Sequence, residues 1–308
     1  MALTQASGTR TEPRRPSRKG TLTALLFLAP FFVLFFAFTV FPVLYSCYLS
    51  LFKDKAAGLG LGAVQKVFVG GENYLRALTD PAYTSSFGNI AVYCLIYIPV
   101  MIVLSLSIAL LLDSAAAKAR GFFRLAFYLP NIVPGLIAAV IWLYLYTPEI
   151  SPIVDAVKAS GGTWDLSSTL AAYFSISNIT VWMHTGYNVI LFYAALQAVP
   201  KEVLEAATVD GAGPFRTAVA IKARMIAGAV SVATLFTVVG AMQLFAEPLL
   251  LKTKATAITS TWTPNMFIYD AAFDKHDFGY AAASALTFAV LIGVMSWAVT
   301  KLGSKADQ

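Results

Sequence analysis

Residues Glu205 to Gly213 read "EAATVDGAG", a small polar segment between two runs without a charged side chain, Leu166–Pro200 and Met225–Ala246. How this segment is read decides the organisation of the chain. If the flanking runs are lipid-embedded helices, the segment is the loop that joins them. It is then presented to an aqueous compartment.

Composition supports that reading. The 308 residues are 58% hydrophobic and 12% charged, with a mean hydropathy of +0.71. These values exclude an ordinary soluble domain. The formal net charge of +6 is not arranged as a basic patch interleaved with aromatics, so no nucleic-acid partner is expected. Cys47 and Cys94 both lie in apolar runs and form no CxxC pair. They are expected to be buried thiols that pack as small hydrophobes. His184 and His276 are far apart and show no ligand spacing, so no metal site is expected.

Charge-free stretches recur along the chain. Gly20–Phe52, Pro81–Leu112, Leu125–Pro148, Leu166–Pro200, Met225–Ala246 and Phe278–Thr300 each hold the roughly 20 residues a helix needs to cross a hydrocarbon core. Backbone groups in lipid must pair within the segment, so all six are expected to be helices. The first should occupy about Leu22–Leu51, behind a disordered basic tail, residues 1–20. It is too long for the apolar part of a signal peptide, and Arg14–Arg15 reads as orienting charge. Pro30, Pro42, Pro99, Pro130 and Pro134 are expected kink sites. With the N-terminus inside, 14 Lys and Arg fall on the inner side and 8 on the outer side. Both termini and the "EAATVDGAG" loop are then cytoplasmic. The expected divisions are the tail, a first helix and external loop at 21–80, a five-helix core at 81–302 holding the loop 198–224, and a short tail at 303–308.

The loop itself predicts two short helices. Pro200 suits a first helical turn. Glu202 and Glu205 sit near its positive end, and Ala206 and Ala207 favour helix. Gly211 can adopt the left-handed conformation that stops it. Pro214 suits the start of a second helix, to about Ala223. Val203, Leu204, Ala207 and Phe215 should form one apolar side. An interfacial helix lying on headgroups is one reading. The small and acidic side chains favour the other, a docking element for a protein partner.

These residues carry a resemblance. Glu205, Ala206, Ala207, Asp210, Gly211, Ala212 and Ile221 match the EAA loop of ATP-binding-cassette (ABC) importer permeases. The flanks agree: "GYNVILFYAALQAVPKEVLEAA", "ENYLRALTDPAYTSSFGN", "LPNIVPGLIAAVIWLYLYTPEISPI" and "FDKHDFGYAAASA" resemble the corresponding segments of the carbohydrate-uptake (maltose and glycerol-3-phosphate transporter-like) group. The likeness spans roughly residues 70–300. The usual Leu-Pro after the Ile, and a Pro downstream, are replaced by Ala223, Arg224 and Gly228. The second loop helix is therefore expected to run unbroken into the fifth span. A common Phe is replaced by Ala218, and Leu250–Ala255 reads "LLKTKA" where Gly-Gly-Pro is usual.

The resemblance implies an all-α integral membrane protein with the type I importer permease fold. Six transmembrane helices would carry a cytoplasmic coupling helix between helices 4 and 5. It implies no enzymatic activity in this chain, no cofactor bound by it, and ATP and Mg in a separate ATPase. The implied partners are a second homologous permease, two copies of a cytoplasmic ABC ATPase, an extracytoplasmic solute-binding protein and membrane lipid. The location implied is the cytoplasmic membrane of a prokaryote. No GxxxxGK[ST] phosphate loop is present in the sequence. Glu205, Asp210 and Gly211 would carry docking to the ATPase. Asn178, Trp182, Tyr187, Asn188 and Gln243 are candidates for a sugar or polyol path, because hydrogen-bonding and aromatic groups recognise sugars. His184 is a weaker candidate. Glu247 is expected at the outer membrane interface, and "TWTPNMFIYDAAFDKHDF" in a solvated outer loop. An ion-coupled secondary transporter is the alternative. It would need an ionisable group in mid-span, and apart from His184 the six runs offer none.

Overall fold

The computed structural model describes the backbone of residues 18–56, 64–114, 116–162 and 164–306. The expected disorder of the basic tail falls mostly outside these residues. The chain divides into two units, Met1–Tyr48 and Leu49–Gln308.

In the first unit, α1 (Arg18–Phe35) passes through a π-helical segment (Phe36–Val40) into α2 (Phe41–Ser50). The helix continues through Pro30, and the π segment lies just before Pro42. Every side chain from residue 25 to residue 39 is exposed. That much apolar surface requires lipid or another protein to cover it. Cys47 is also exposed and Cys94 half-buried, so the two are not both buried core thiols. Cys47 shares the exposed apolar surface of its own helix.

The second unit opens with a hairpin, β1 (Phe52–Ala56) antiparallel to β2 (Val64–Phe68), with Phe52 opposite Phe68. Then come α3 (Glu72–Thr79), α4 (Pro81–Asp113), α5 (Arg120–Tyr128), a 3-10 turn (Leu129–Ile132), α6 (Gly135–Leu145) and α7 (Pro152–Ala159). They are followed by α8 (Thr169–Gln197) and α9 (Lys201–Val209). Next are α10 (Pro214–Arg216), a π segment (Thr217–Lys222) and α11 (Ala223–Met225). The chain finishes with α12 (Ala227–Met242), α13 (Ala246–Leu251), α14 (Pro264–Tyr269), a further π segment (Asp270–Asp274) and α15 (Phe278–Ala306).

Four helical stretches among the described residues are long and apolar enough to cross a membrane: Leu25–Ser50, Pro81–Asp113, Ala227–Leu251 and Phe278–Lys301. Arg120–Ile132 and Gly135–Leu145 make a fifth only as a pair bent by 98°. The third span is thus broken where kinks were expected, at Pro130 and Pro134. Pro130 and Pro134 remove backbone donors at the bend. By contrast α4 runs unbroken through Pro99. A count of six depends on α8, whose 29 residues reach about 43 Å but carry many polar side chains.

The core centres on α4 and α8, which share the most extensive packing in the chain. Ile90, Tyr93, Met101, Ile176, Ile179 and Met266 are buried in one large cluster. Ala109, Leu112, Val189, Phe192, Leu196 and Ile226 form a second cluster farther along the same helices. At the opposite end, α3, α4 and α15 are clasped by polar contacts. Asp80 caps α4 by accepting from Ala82 N at 2.8 Å and also accepts from Tyr280 Oη at 2.8 Å. Arg76 pairs with Asp277 at 2.6 Å and lies 3.8 Å over the Tyr280 ring.

The segment read as a solvated outer loop is instead folded. Trp262, Met266, Phe267 and Asp270 are buried, and Asp270 is paired with Lys275 at 2.8 Å. Its apolar residues outnumber its charges, and α14 packs them against α4 and α15.

Candidate functional site

Two places bring the expected residues together. The first is the loop between α8 and α9–α11. Pro200 is the N-cap of α9. Asp210 is the C-cap, and Gly211 follows at φ +78°. Gly211 N donates to Thr208 O at 3.0 Å and Ala212 N to Ala207 O at 2.9 Å. This pair of bonds is the Schellman closure of a helix, and its left-handed position opposes any Cβ. Pro214 then starts α10. Val203, Ala206, Ala207, Asp210, Ala212 and Ile221 line an open groove of about 640 Å³ between the two arms, with Glu202 and Arg216 at its edge. Glu205 and Gly211 lie outside the groove lining.

Two details differ from expectation. Phe215 is 81% exposed and Val203 is exposed as well, so among the four residues expected on one apolar side only Ala207 is buried. The arm after Pro214 does not run unbroken into the fifth span. It contains the π segment and then leaves helical geometry at Ile226 (φ −99°, ψ 15°). Ile226 is itself buried in the second apolar cluster, which fixes the break against α4 and α8.

The second place is a cavity of about 410 Å³ where α4, α8 and α12–α13 meet. Tyr187, Asn188 and Gln243 line it, as does His184. Asn178 and Trp182 do not. Asn178 donates to Tyr146 Oη at 2.8 Å, and Trp182 sits edge-on to Trp142 at 5.8 Å. The reason is helical phase. Thr180, His184, Tyr187 and Asn188 fall at i, i+4, i+7 and i+8 on one stripe of α8, whereas positions 178 and 182 turn to another face.

Sequence reasoning missed contributors on three further elements, α4, α12 and α13. Tyr93 and Tyr97 of α4 stack at 5.1 Å, and Tyr93 Oη donates to Thr180 Oγ1 at 3.0 Å. An aromatic pair one turn apart in a predicted span was the available signal. Thr237 of α12 accepts from Asn188 Nδ2 at 3.4 Å, so Asn188 also bridges two helices. The contributor on α13 is Glu247. It was expected at an interface, but it is only 8% exposed, lies within the apolar stretch Ala227–Leu251 and lines the cavity.

Backbone geometry explains how Glu247 reaches the cavity. The helix breaks at Gln243–Phe245, between α12 and α13, which turns Gln243 and Glu247 toward the opening. Gly135 at the start of α6 makes room, because a Cβ there would stand 3.0 Å from Glu247 Oε1. Neither Lys nor Arg lines the cavity, and no hydrogen bond or ion pair within the described residues compensates this carboxylate. Broken helices beside a polar cavity are the usual way a membrane protein builds a solute site.

The comparisons fit this architecture. Residues 91–308 match the family described as the binding-protein-dependent transport system inner membrane component. A Bacillus subtilis (strain 168) protein named a probable ABC transporter permease, YurN, is 30% identical over 281 residues, 88% of this chain and 92% of that one. A Thermoanaerobacterium thermosulfurigenes protein named a probable permease for starch degradation products, AmyD, is 29% identical over 88% of this chain and 90% of its own length. A bacterial ABC transporter described as importing the acidic polysaccharide alginate superposes with a TM-score of 0.76 at 17% identity, over 93% of this chain and 96% of that one. A chain with a cavity at a broken span, a Gly-closed loop helix and this match over most of its length belongs to the family of inner membrane components of binding-protein-dependent transport systems.

Proposed function

We propose that this chain is one of two membrane subunits of an ATP-driven importer that carries a neutral sugar or polyol inward by alternating access. The 410 Å³ cavity carries this reading. It falls in the range of about 300–1,000 Å³ that small-molecule sites occupy. Its walls alternate aromatic rings with hydroxyl, amide and carboxylate groups, which suits a hydroxyl-rich solute. A carboxylate without a neighbouring cation disfavours an anionic one. Tyr187, Asn188 and Gln243 belong to this path, joined by Thr180, Tyr93 and Glu247. Asn178 and Trp182 serve it from the helix packing behind. A relative named for starch degradation products is consistent with a neutral carbohydrate.

The loop Ala198–Arg224 is the coupling element. Glu205 and Asp210 are exposed and available to a basic groove on an ATPase, while Gly211 fixes the turn. α8 crosses the membrane as the fourth of six spans, with both termini and the coupling loop on the cytoplasmic side. The partners are a second permease subunit, two ATPase subunits and a solute-binding protein. Glu247 supplies the mid-span ionisable group that ion coupling would need, but family membership places energy coupling elsewhere and sets the secondary-transporter reading aside.

Co-purification tests this function. This chain is expressed with its second membrane subunit and ATPase, extracted in mild detergent and captured. Wild type is expected to recover the ATPase, whereas Gly211→Pro and Glu205→Lys lose it. Equal recovery from all three would remove the loop as the dock.

A further inference from the structure

Asp113 occupies the last turn of α4. A carboxylate there opposes the negative end of the helix dipole, so α4 itself gains nothing from it. Its partners lie on two other elements. Lys222 Nζ pairs with Asp113 Oδ2 at 2.5 Å, and Gln197 Nε2 donates to Asp113 Oδ1 at 2.6 Å. Lys222 closes the π segment of the coupling loop. Gln197 is the last residue of α8. The ion pair is largely shielded, with side-chain exposures of 18% and 10%, so solvent weakens it less than a surface pair. One carboxylate therefore ties together the coupling loop, α4 and α8.

From Gly211 to Met225 every residue of the loop arm is exposed or half-buried, none of them buried. It leaves the helix at Ile226 and carries a π segment, a feature frequent at functional sites. From Asp113, α4 runs without a break to Tyr97 and Tyr93 in the cavity wall, about 24 Å from the tie to Tyr97 at the rise of an α-helix.

We propose that Asp113 is the positioning residue that transmits movement of the coupling loop into α4, through Lys222 and with Gln197 holding α8 in step. This inference rests on the coupling role proposed for the loop. It names a path for the force that the loop motif does not contain, since neither Asp113 nor Lys222 belongs to it.

The test reads conformation rather than uptake. In a Cys47→Ser, Cys94→Ser background, Ala246→Cys places one thiol in the cavity wall. The assembled importer in proteoliposomes is labelled with a membrane-impermeant methanethiosulfonate reagent, with and without ATP and vanadate. ATP with vanadate should raise labelling from the outside about fivefold or more, the low end of ordinary allosteric coupling. Asp113→Lys and Lys222→Asp should each reduce that change below about twofold while the ATPase still co-purifies, and the Asp113→Lys, Lys222→Asp double variant should restore it. If single reversals respond like wild type, or the double variant stays unresponsive with ATPase bound, the proposal is wrong. Loss of the ATPase in the single variants, regained in the double, would make the pair a docking contact and equally overturn it. If the reversals fail to assemble, Asp113→Asn keeps the shape and should give an intermediate response; a full response overturns the proposal. A wild-type assembly without any ATP response would instead sink the coupling reading on which it rests.

Discussion

Gly186 is buried near the middle of α8, where the backbone of the α5 end crosses it. A Cβ there would stand 2.0 Å from Phe127 O, 2.4 Å from Phe127 C and 2.7 Å from Tyr128 Cα. All three are backbone atoms, so no side-chain rotation relieves the clash. Real Cβ contacts stay beyond about 3.0 Å, and the two segments must part by about 1 Å. Forced separation of this kind costs about 3 kcal/mol, the upper part of the overpacking range. Alanine regains about 1 kcal/mol of helix propensity over glycine. Gly186→Ala should therefore destabilise by about 2 kcal/mol. For a chain of 308 residues, at the large end of the size scaling, that is a fall of about 4 °C or less in melting temperature. The control is Gly88→Ala on α4, where nothing lies within 4 Å of the added Cβ and propensity alone acts. The assay is melting of the detergent-solubilised assembly by intrinsic fluorescence at fixed detergent. Gly88→Ala should melt at or above wild type. If Gly186→Ala does the same, the close approach of α8 and the α5 end is wrong, and with it the position of the bent third span.

Other variants probe the cavity and the clasp. Tyr187→Ala should lower solute uptake by proteoliposomes about tenfold, whereas Trp182→Phe, which packs behind the wall against Trp142, should stay within about twofold. Equal losses would return Trp182 to the path. Glu247→Gln keeps the shape but removes hydrogen bonds to a charged group, each worth about 1.5–3 kcal/mol. Uptake should fall about tenfold or more while melting temperature holds or rises, and unchanged uptake would exclude Glu247 from solute recognition. Burial pushes the Asp80 carboxyl up, but the Tyr280 hydroxyl, the Ala82 and Tyr83 amides and Lys275 together hold it below its ordinary 3.8. Its contribution is complete above pH 3.8 and lost as pH falls through the lower folded value. Asp80→Asn should flatten melting temperature against pH in that acid window, and an unaltered slope would deny the clasp.

The loop was legible because its signals are local. Pro200, Gly211 and Pro214 act through their own backbone geometry, so their conformations follow from the sequence without knowing the fold. Four of the six expected spans were legible for a different reason: hydrocarbon tolerates no unpaired backbone, so a long charge-free run admits few alternatives. What the sequence left open is helix phase. α8 carries polar or aromatic groups on several faces, and only its packing against α4 selects the stripe of Thr180, His184, Tyr187 and Asn188 over that of Asn178 and Trp182. The break at Ile226 was illegible in the same way, since the burial of that side chain with Ala109, Leu112 and Phe192 depends on tertiary packing.

Glu247 shows why a span rule and a site rule pull against each other. Absence of charge located the fifth span, and that same criterion ended it at Ala246, one residue before the carboxylate. Any functional charge inside a membrane is thus assigned to a boundary by the reasoning that finds the membrane segments. The correction comes from backbone geometry: the turn at Gln243–Phe245 lets a further helical turn, Ala246–Leu251, continue the span with Glu247 aimed at the cavity rather than at lipid. A carboxylate in that position is costly unless something polar meets it. Within this chain the space it faces is the cavity of Tyr93, Tyr187 and Gln243, which is where the proposed hydroxyl-rich solute would meet it.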